Sequence, residues 1–200
     1  MPEAVVHIVD DDPAIRDSLV WLFESRGLRT TTWSSGEALL EGPWADLDGC
    51  LVLDIRMEGI GGLELFDRLK ARGCRLPIIF LTGHGDVPMA VEALKKGARD
   101  FLEKPFNGNE LVDRVLAVLD AEADARERDR LRAAIEERLA ALSGREREVM
   151  TLMLAGKMNK VIADELGITI RTVEVHRARI FEKTGVRSAV ELANLVASLR

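Results

Sequence analysis

Residues 7–13 read HIVDDDP: the apolar run His7-Ile8-Val9 stops at three successive carboxylates, Asp10, Asp11 and Asp12. Like charges this close raise one another's pKa and cost free energy unless a cation or solvent offsets them. Three other apolar runs stop the same way. Asp54 closes LVLD, Thr82 closes IIFLT, and Lys104-Pro105 follows the DFLE of DFLEKPF. Brought to one rim, these ends would assemble three carboxylates, a hydroxyl and an ammonium. Hard oxygen donors without His or Cys suit Mg²⁺ (or Mn²⁺), which keeps several waters and binds through a few carboxylates plus a phosphoryl oxygen. A carboxylate beside such a cation and a lysine is a competent nucleophile toward phosphorus, because both cations stabilise the equatorial oxygens of the transition state. Plainer readings stand beside this one. The Asp triplet also suits a solvated turn or a helix N-cap, with Asp12-Pro13 as cap and first turn and Asp10 and Asp11 left for metal. Asp54 alone could be a turn residue, and Phe101 on its strand suits simple core packing.

The elements that must position these groups alternate. β-rich apolar runs fall at Val5–Val9, Arg29–Trp33, Gly49–Leu53, Leu76–Leu81 and Ala98–Leu102. Helical patterns fall between and after them at Ala14–Glu24, Ser35–Leu40, Leu63–Ala71, Val87–Lys96 and Asn109–Leu119. Five such alternations predict an α/β doubly wound parallel five-stranded sheet covered on both faces, with ligands at the carboxyl ends of the strands.

The 200 residues, 47% hydrophobic and 31% charged, suit a globular chain of two domains. No apolar stretch reaches the roughly eighteen residues of a membrane span, and MPEAVVHIVDDD lacks the pattern of a secretory signal, so the expected location is the cytoplasm with no membrane partner. Cys50 and Cys74 have no CxxC or His near them and read as packing. Charge is uneven: residues 1–142 carry 18 basic against 27 acidic side chains, a net of −9, and residues 143–200 carry 10 against 7, a net of +3. An acidic domain joined to one able to approach nucleic acid fits that asymmetry. Between them, residues 121–142 are dense in Ala, Glu and Arg without Gly or Pro. Leu131, Ile135, Leu139 and Leu142 form one stripe there, which predicts a continuing helical linker or a short dimeric coiled coil.

Residues 143–200 contain only helical segments: Gly144–Ala155, Asn159–Leu166, Ile170–Thr184 and Ala189–Leu199. Ser143 with Glu146 and Ser188 with Glu191 have capping-box spacing, Thr169 suits an N-cap, and Gly156, Gly167 and Gly185 suit C-terminal stops. The second and third segments, joined through Gly167-Ile168-Thr169, have the short turn of a helix-turn-helix. Arg171, His176, Arg177, Arg179 and Lys183 lie along the third helix, while Val173, Ile180 and Phe181 can face a core. Charge alone fits a solvated helix equally well.

Residues 1–120 resemble the receiver domain of a two-component response regulator, closely the FixJ type. The resemblance is carried by VDDD, LDIRM around Asp54, LTGHGDVPMAVEALKKGARDFLEKPF at 81–106, and Gly62. It implies a flavodoxin-like fold in which Asp54 accepts a phosphoryl group from a sensor histidine kinase. Asp10, Asp11, Asp54 and the Arg56 carbonyl would hold Mg²⁺, and Lys104 would pair with the phosphoryl oxygens. Thr82 and Phe101 would act as switch residues, the Lys104-Pro105 peptide would be cis, and the 87–106 surface would dimerise on phosphorylation. Glu58 stands where that family commonly has Pro, and Gly59-Ile60-Gly61-Gly62 reads as a flexible loop beside the site.

Residues 142–197 resemble the DNA-binding domain of the LuxR/FixJ/NarL type through REREV, NKVIADELGI and RTVEVHR. That resemblance implies a four-helix domain over 143–200 whose third helix enters the major groove of double-stranded promoter DNA. Glu174, Val175 and Ala178 would lie nearest the bases, with Lys160, Arg171, Thr172, Arg177 and Arg179 on phosphates. It also admits RNA polymerase as a partner. The expectation is a phosphorylation-controlled transcription factor and not an enzyme, its only catalysis being acceptance and slow hydrolysis of phosphate at Asp54. The alternatives are a regulator independent of phosphorylation, with the receiver as a dimerisation module, and a phosphatase working through an aspartyl phosphate. Against the second, Arg56 occupies the place two residues after Asp54 where such enzymes usually carry an acid/base Asp.

Overall fold

The computed structural model describes residues 5–83 and 87–199, and the chain divides into two compact units, Met1–Asp124 and Ala125–Arg200. In the first unit β1 (Val5–Val9), β2 (Arg29–Trp33), β3 (Gly49–Asp54), β4 (Ile78–Thr82) and β5 (Asp100–Glu103) form one parallel sheet in the order β2-β1-β3-β4-β5. Helices α1 (Pro13–Glu24), α2 (Gly36–Glu41), α3 (Gly62–Ala71), α4 (Val87–Lys95) and α5 (Gly108–Ala140) accompany it. β3 and β4 are buried along their whole length, which is why they read as unbroken apolar runs.

Alternation along the strands divides the core in two. Val9, Leu51, Leu53 and Phe80 pack with Leu39 of α2 and Leu65, Phe66 and Leu69 of α3. Val6, Ile8, Val52, Ile79 and Leu81 pack with Leu19 and Phe23 of α1 and with Leu111, Val112 and Val115 of α5. The fourth strand, expected from Leu76, begins at Ile78. Pro77 has no N–H to give the ladder, although its carbonyl still accepts from Leu51 at 2.9 Å. The edge strand β2 presents Arg29, Thr31 and Thr32 to solvent, a polar edge that discourages further strand pairing. Cys50 and Cys74 are buried free thiols, and burial pushes the Cys50 thiol far up.

The expected helix after residue 120 is present as the continuation of α5. Its stripe divides, however. Leu131 is exposed, α5 ends at Ala140, and Leu139 and Leu142 pack into the core of the second unit. That unit consists of α6 (Gly144–Leu154), α7 (Asn159–Leu166), α8 (Ile170–Thr184) and α9 (Ala189–Ala197) around Val149, Met153, Ile162, Val173, Ile180 and Leu192. Gly167 and Gly185, at φ 64° and 73°, close α7 and α8 in the left-handed region as their positions suggest. Ser188 caps α9 at the Glu191 N–H, but the Glu191 carboxylate reaches the Arg187 N–H at 2.9 Å, one residue before the expected partner.

The capping box on α6 is complete. Glu146 is 3% exposed, and its carboxylate takes the Ser143 N–H at 2.8 Å and the Lys183 ammonium of α8 at 2.7 Å. The Lys183 hydrogen bond, then that from Ser143, holds its carboxyl down at about 2. A depressed carboxyl contributes stability that is present above its unfolded pKa and lost as pH falls through the folded one. Amide protection in α6 of the intact chain is therefore expected to decline between the usual 4.5 and about 2. Glu146→Ala is expected to lower that protection already at neutral pH, by about 1 kcal/mol or more from the lost cap. Site-resolved hydrogen exchange checks both.

Candidate metal centre and nucleic-acid interface

Because the sheet is parallel, the carboxyl ends of β1, β3, β4 and β5 share one rim. The strand order reverses direction between β1 and β3, and Asp10, just after β1, and Asp54, last in β3, flank that switch point. Carboxylate oxygens of Asp10, Asp11 and Asp54 lie within 4.8 Å of one another. The Lys104 ammonium, just beyond β5, sits 3.2 Å from both Asp10 Oδ2 and Asp54 Oδ1. Thr82, fully buried at the end of β4, donates its hydroxyl to the Gly83 carbonyl at 3.1 Å. Phe101 is half-buried against the α3-side core, and the Lys104-Pro105 peptide is cis. Residues 84–86 of the 81–106 stretch lie outside the described residues.

Asp12 does not join the cluster. It caps α1, accepting the Ala14 N–H at 2.8 Å ahead of Pro13. Asp10 is fixed from several directions: its Oδ1 accepts the Asp12 N–H at 2.9 Å, and its carbonyl accepts the Arg16 guanidinium at 2.6 Å. Asp11 Oδ2 accepts the Glu58 N–H at 2.8 Å. Asp54 accepts from the Arg56 backbone, and burial, against the pull of Lys104 and with the push of Asp10, lifts its carboxyl above its usual range. Three carboxylates against one ammonium leave the rim net negative and partly desolvated. The donor set, all carboxylate oxygen, fits a hard divalent cation such as Mg²⁺.

Sequence reasoning missed Arg16 and Glu37. Arg16 reads as an ordinary charged helix residue, and nothing in its spacing announces a bond to the Asp10 carbonyl. Glu37 reads as a favourable charge in the first turn of α2, yet its Oε1 accepts the Ile60 N–H at 2.8 Å. The glycine-rich loop expected to be flexible is thereby tied down.

In the second unit α8 buries Val173, Ile180 and Thr184. Arg171, Glu174, Val175, Ala178 and Arg179 are exposed on its other side, and Lys160 is exposed on α7. Thr172 and Arg177 are half-buried: the Thr172 hydroxyl is 2.8 Å from that of Thr169, and the Arg177 guanidinium lies 5.8 Å from the centre of the Phe181 ring. Among the described residues no helix is long and apolar enough to cross a membrane.

The first unit thus carries an acidic rim at the switch point of a five-stranded parallel sheet, and the second a helix-turn-helix with basic side chains on its exposed face. The family "Response regulator receiver domain" matches residues 6–116, and "Bacterial regulatory proteins, luxR family" matches residues 140–196. The chain belongs to the response regulators that join a receiver to a LuxR-type DNA-binding domain, and it is a DNA-binding transcriptional regulator. It is 54% identical to the C4-dicarboxylate transport transcriptional regulatory protein DctR of Rhodobacter capsulatus, over 95% of this chain and 98% of that one. It is 46% identical to FixJ of Azorhizobium caulinodans, over 98% and 93%. Among solved structures, the response regulator StyR superposes with a TM-score of 0.89 at 42% identity, covering 98% of both chains. Full-length FixJ from B. japonicum gives 0.63 at 40%, covering 100% of this chain and 98% of that one.

Proposed function

We propose that this regulator is switched by phosphorylation of Asp54. The observation that carries the reading is the Lys104 ammonium 3.2 Å from Asp54 Oδ1 and from Asp10 Oδ2, on a rim of three carboxylates. An Asp54 oxygen attacks the phosphorus of a phosphohistidine on a sensor kinase; the O–P bond forms, the P–N bond breaks and the imidazole leaves. Asp10, Asp11, Asp54 and the Arg56 carbonyl would hold Mg²⁺, which supplies positive charge to the equatorial oxygens. Lys104, 3.2 Å from Asp54 Oδ1, would neutralise the same oxygens. Thr82, Phe101 and the cis Lys104-Pro105 segment respond to the phosphoryl group and bias the 87–106 surface toward a homodimer that occupies two half-sites of promoter DNA. The domain composition is that of a regulator and not of an enzyme.

Sedimentation and DNA-shift titration with Mg²⁺, before and after acetyl phosphate, test this. Dimerisation and tighter binding on phosphorylation are expected; a chain already dimeric and DNA-bound without phosphate refutes it. The identity with DctR makes promoters of dicarboxylate-transport genes the first operators to try.

On DNA, Glu174, Val175 and Ala178 would read base edges while Lys160, Arg171, Thr172, Arg177 and Arg179 hold phosphates. Arg171→Ala is expected to weaken binding to all sequences alike and to lower the salt slope by about one. Glu174→Ala is expected to relax preference at one base pair, by about 1–3 kcal/mol. Binding titrations at several salt concentrations against an operator library separate the two.

A further inference from the structure

We propose that Glu37 is a positioning residue for the metal centre: its carboxylate clamps the loop between β3 and α3 in the geometry that a cation needs. The inference rests on the metal reading given above.

That loop has reason to wander. Residues 55–61 contain no proline, and Gly59, Gly61 and Gly62 impose little restraint of their own. Nevertheless its backbone is held at several points, three of them beyond Arg56. The Glu58 N–H bonds Asp11 Oδ2 at 2.8 Å, the Ile60 N–H bonds Glu37 Oε1 at 2.8 Å, and the Gly62 N–H bonds the Ile55 carbonyl at 2.9 Å. The first of these uses a carboxylate that belongs to the metal cluster and that a cation would share. Glu37 lies outside that cluster, and its hold on Ile60 persists whether or not the cation is bound.

The loop packs closely against this carboxylate. Gly59 has φ +72°, and a Cβ there would lie 2.5 Å from Glu37 Oε1. A Cβ on Gly36 would lie 3.1 Å from the Ile60 carbonyl oxygen and 3.2 Å from its Cβ, so the start of α2 rests directly on the loop. Glu37 is itself fixed: bonds donated by its own backbone N–H and that of Ile60, with a further one donated by the Ser35 hydroxyl, hold its carboxyl below the usual range. Upstream of the clamped Ile60 sit the Glu58 N–H and the Arg56 carbonyl. Anchoring Ile60 therefore limits where both can go before metal arrives, which is preorganisation in the ordinary sense.

Calorimetric titration of Mg²⁺ into the intact chain, with amide exchange at residue 60 of the metal-free protein, tests the clamp on wild type, Glu37→Ala and Glu37→Gln. A glutamine oxygen can still accept the Ile60 N–H. Alanine is expected to lose protection at residue 60 and to weaken Mg²⁺ by roughly threefold to tenfold, with glutamine close to wild type. Alanine binding Mg²⁺ as wild type does overturns the proposal, as does a folded glutamine variant as weak as alanine. Failure of wild type to bind Mg²⁺ overturns instead the metal reading beneath it, and exchange at residue 60 then still decides whether Glu37 holds the loop.

Discussion

Asp54→Asn is expected to take up no phosphate from acetyl phosphate, measured by intact mass, where wild type takes up one group per chain. The substitution leaves the fold and Lys104's second partner, Asp10, in place, but an amide is not a nucleophile toward phosphorus and cannot carry the acyl phosphate. DNA binding by the variant should then be indifferent to phosphodonor. A dimerisation response that survives in it sinks the switch reading. The same variant has a second signature. The Asp54 carboxyl is raised by burial, so the sign runs opposite to that of Glu146: its contribution to stability is present below its unfolded pKa, near 3.8, and is lost as pH rises through the folded value. At neutral pH the ionised group opposes folding, and Asp54→Asn should melt above wild type without metal. The gap should close in acid, and Mg²⁺ should narrow it by stabilising wild type more than the variant. Thermal melts at two pH values, with and without Mg²⁺, read all three effects.

Gly62→Ala is expected to damage both the fold and the chemistry. A Cβ at that position would lie 2.1 Å from the Asp54 carbonyl oxygen, 2.9 Å from its carbonyl carbon and 3.0 Å from the Ile55 Cα. All three are backbone atoms, so no rotamer relieves the clash; the end of β3 or the start of α3 must move. The expected cost is about 3 kcal/mol or more in denaturant unfolding of the receiver. What moves is Asp54, the proposed nucleophile, and a displacement near 1 Å costs on the order of a hundredfold in rate. Phosphorylation by acetyl phosphate should slow accordingly in whatever fraction stays folded. Gly61→Ala is the control: its Cβ would meet only the Ile55 carbonyl oxygen, at 3.4 Å, and it should phosphorylate close to the wild-type rate. A folded Gly62→Ala chain with an unaltered rate contradicts the argument.

The strand ends were legible because a parallel sheet buried on both faces writes itself as unbroken apolar runs, and the residue after each run is then at the rim. Asp10, Asp54, Thr82 and Lys104 are found together for that reason, not because any one of them is distinctive. The helix-turn-helix was legible from its punctuation, with Thr169 capping α8 and Gly167 in the left-handed region before it. Tertiary bonds from side chains to backbone were not legible. Arg16 on the Asp10 carbonyl and Glu37 on the Ile60 N–H look like solvated surface charge until the backbone they meet is in place, and the capping-box spacing of Glu191 points to Ser188 where the carboxylate meets the Arg187 N–H. The loop after Asp54 reads as flexible for the same cause: its glycines are visible in the sequence, and its tethers are not. The stripe ending at Leu142 reads as one face because periodicity cannot tell which core a helical residue will join; Leu139 and Leu142 join that of the second unit.

The tryptophans Trp21, Trp33 and Trp44 all lie in the first unit, and the chain contains no tyrosine. Trp33 and Trp44 pack against the core on the α3 side, while Trp21 stands 73% exposed on α1. The second unit therefore contributes no tryptophan or tyrosine emission. In the intact, unlabelled protein, emission reports the receiver alone, and a dye placed on the operator can be read without interference from the half of the molecule that grips it. Chemistry at one end and occupancy at the other can be followed as two colours in a single cuvette.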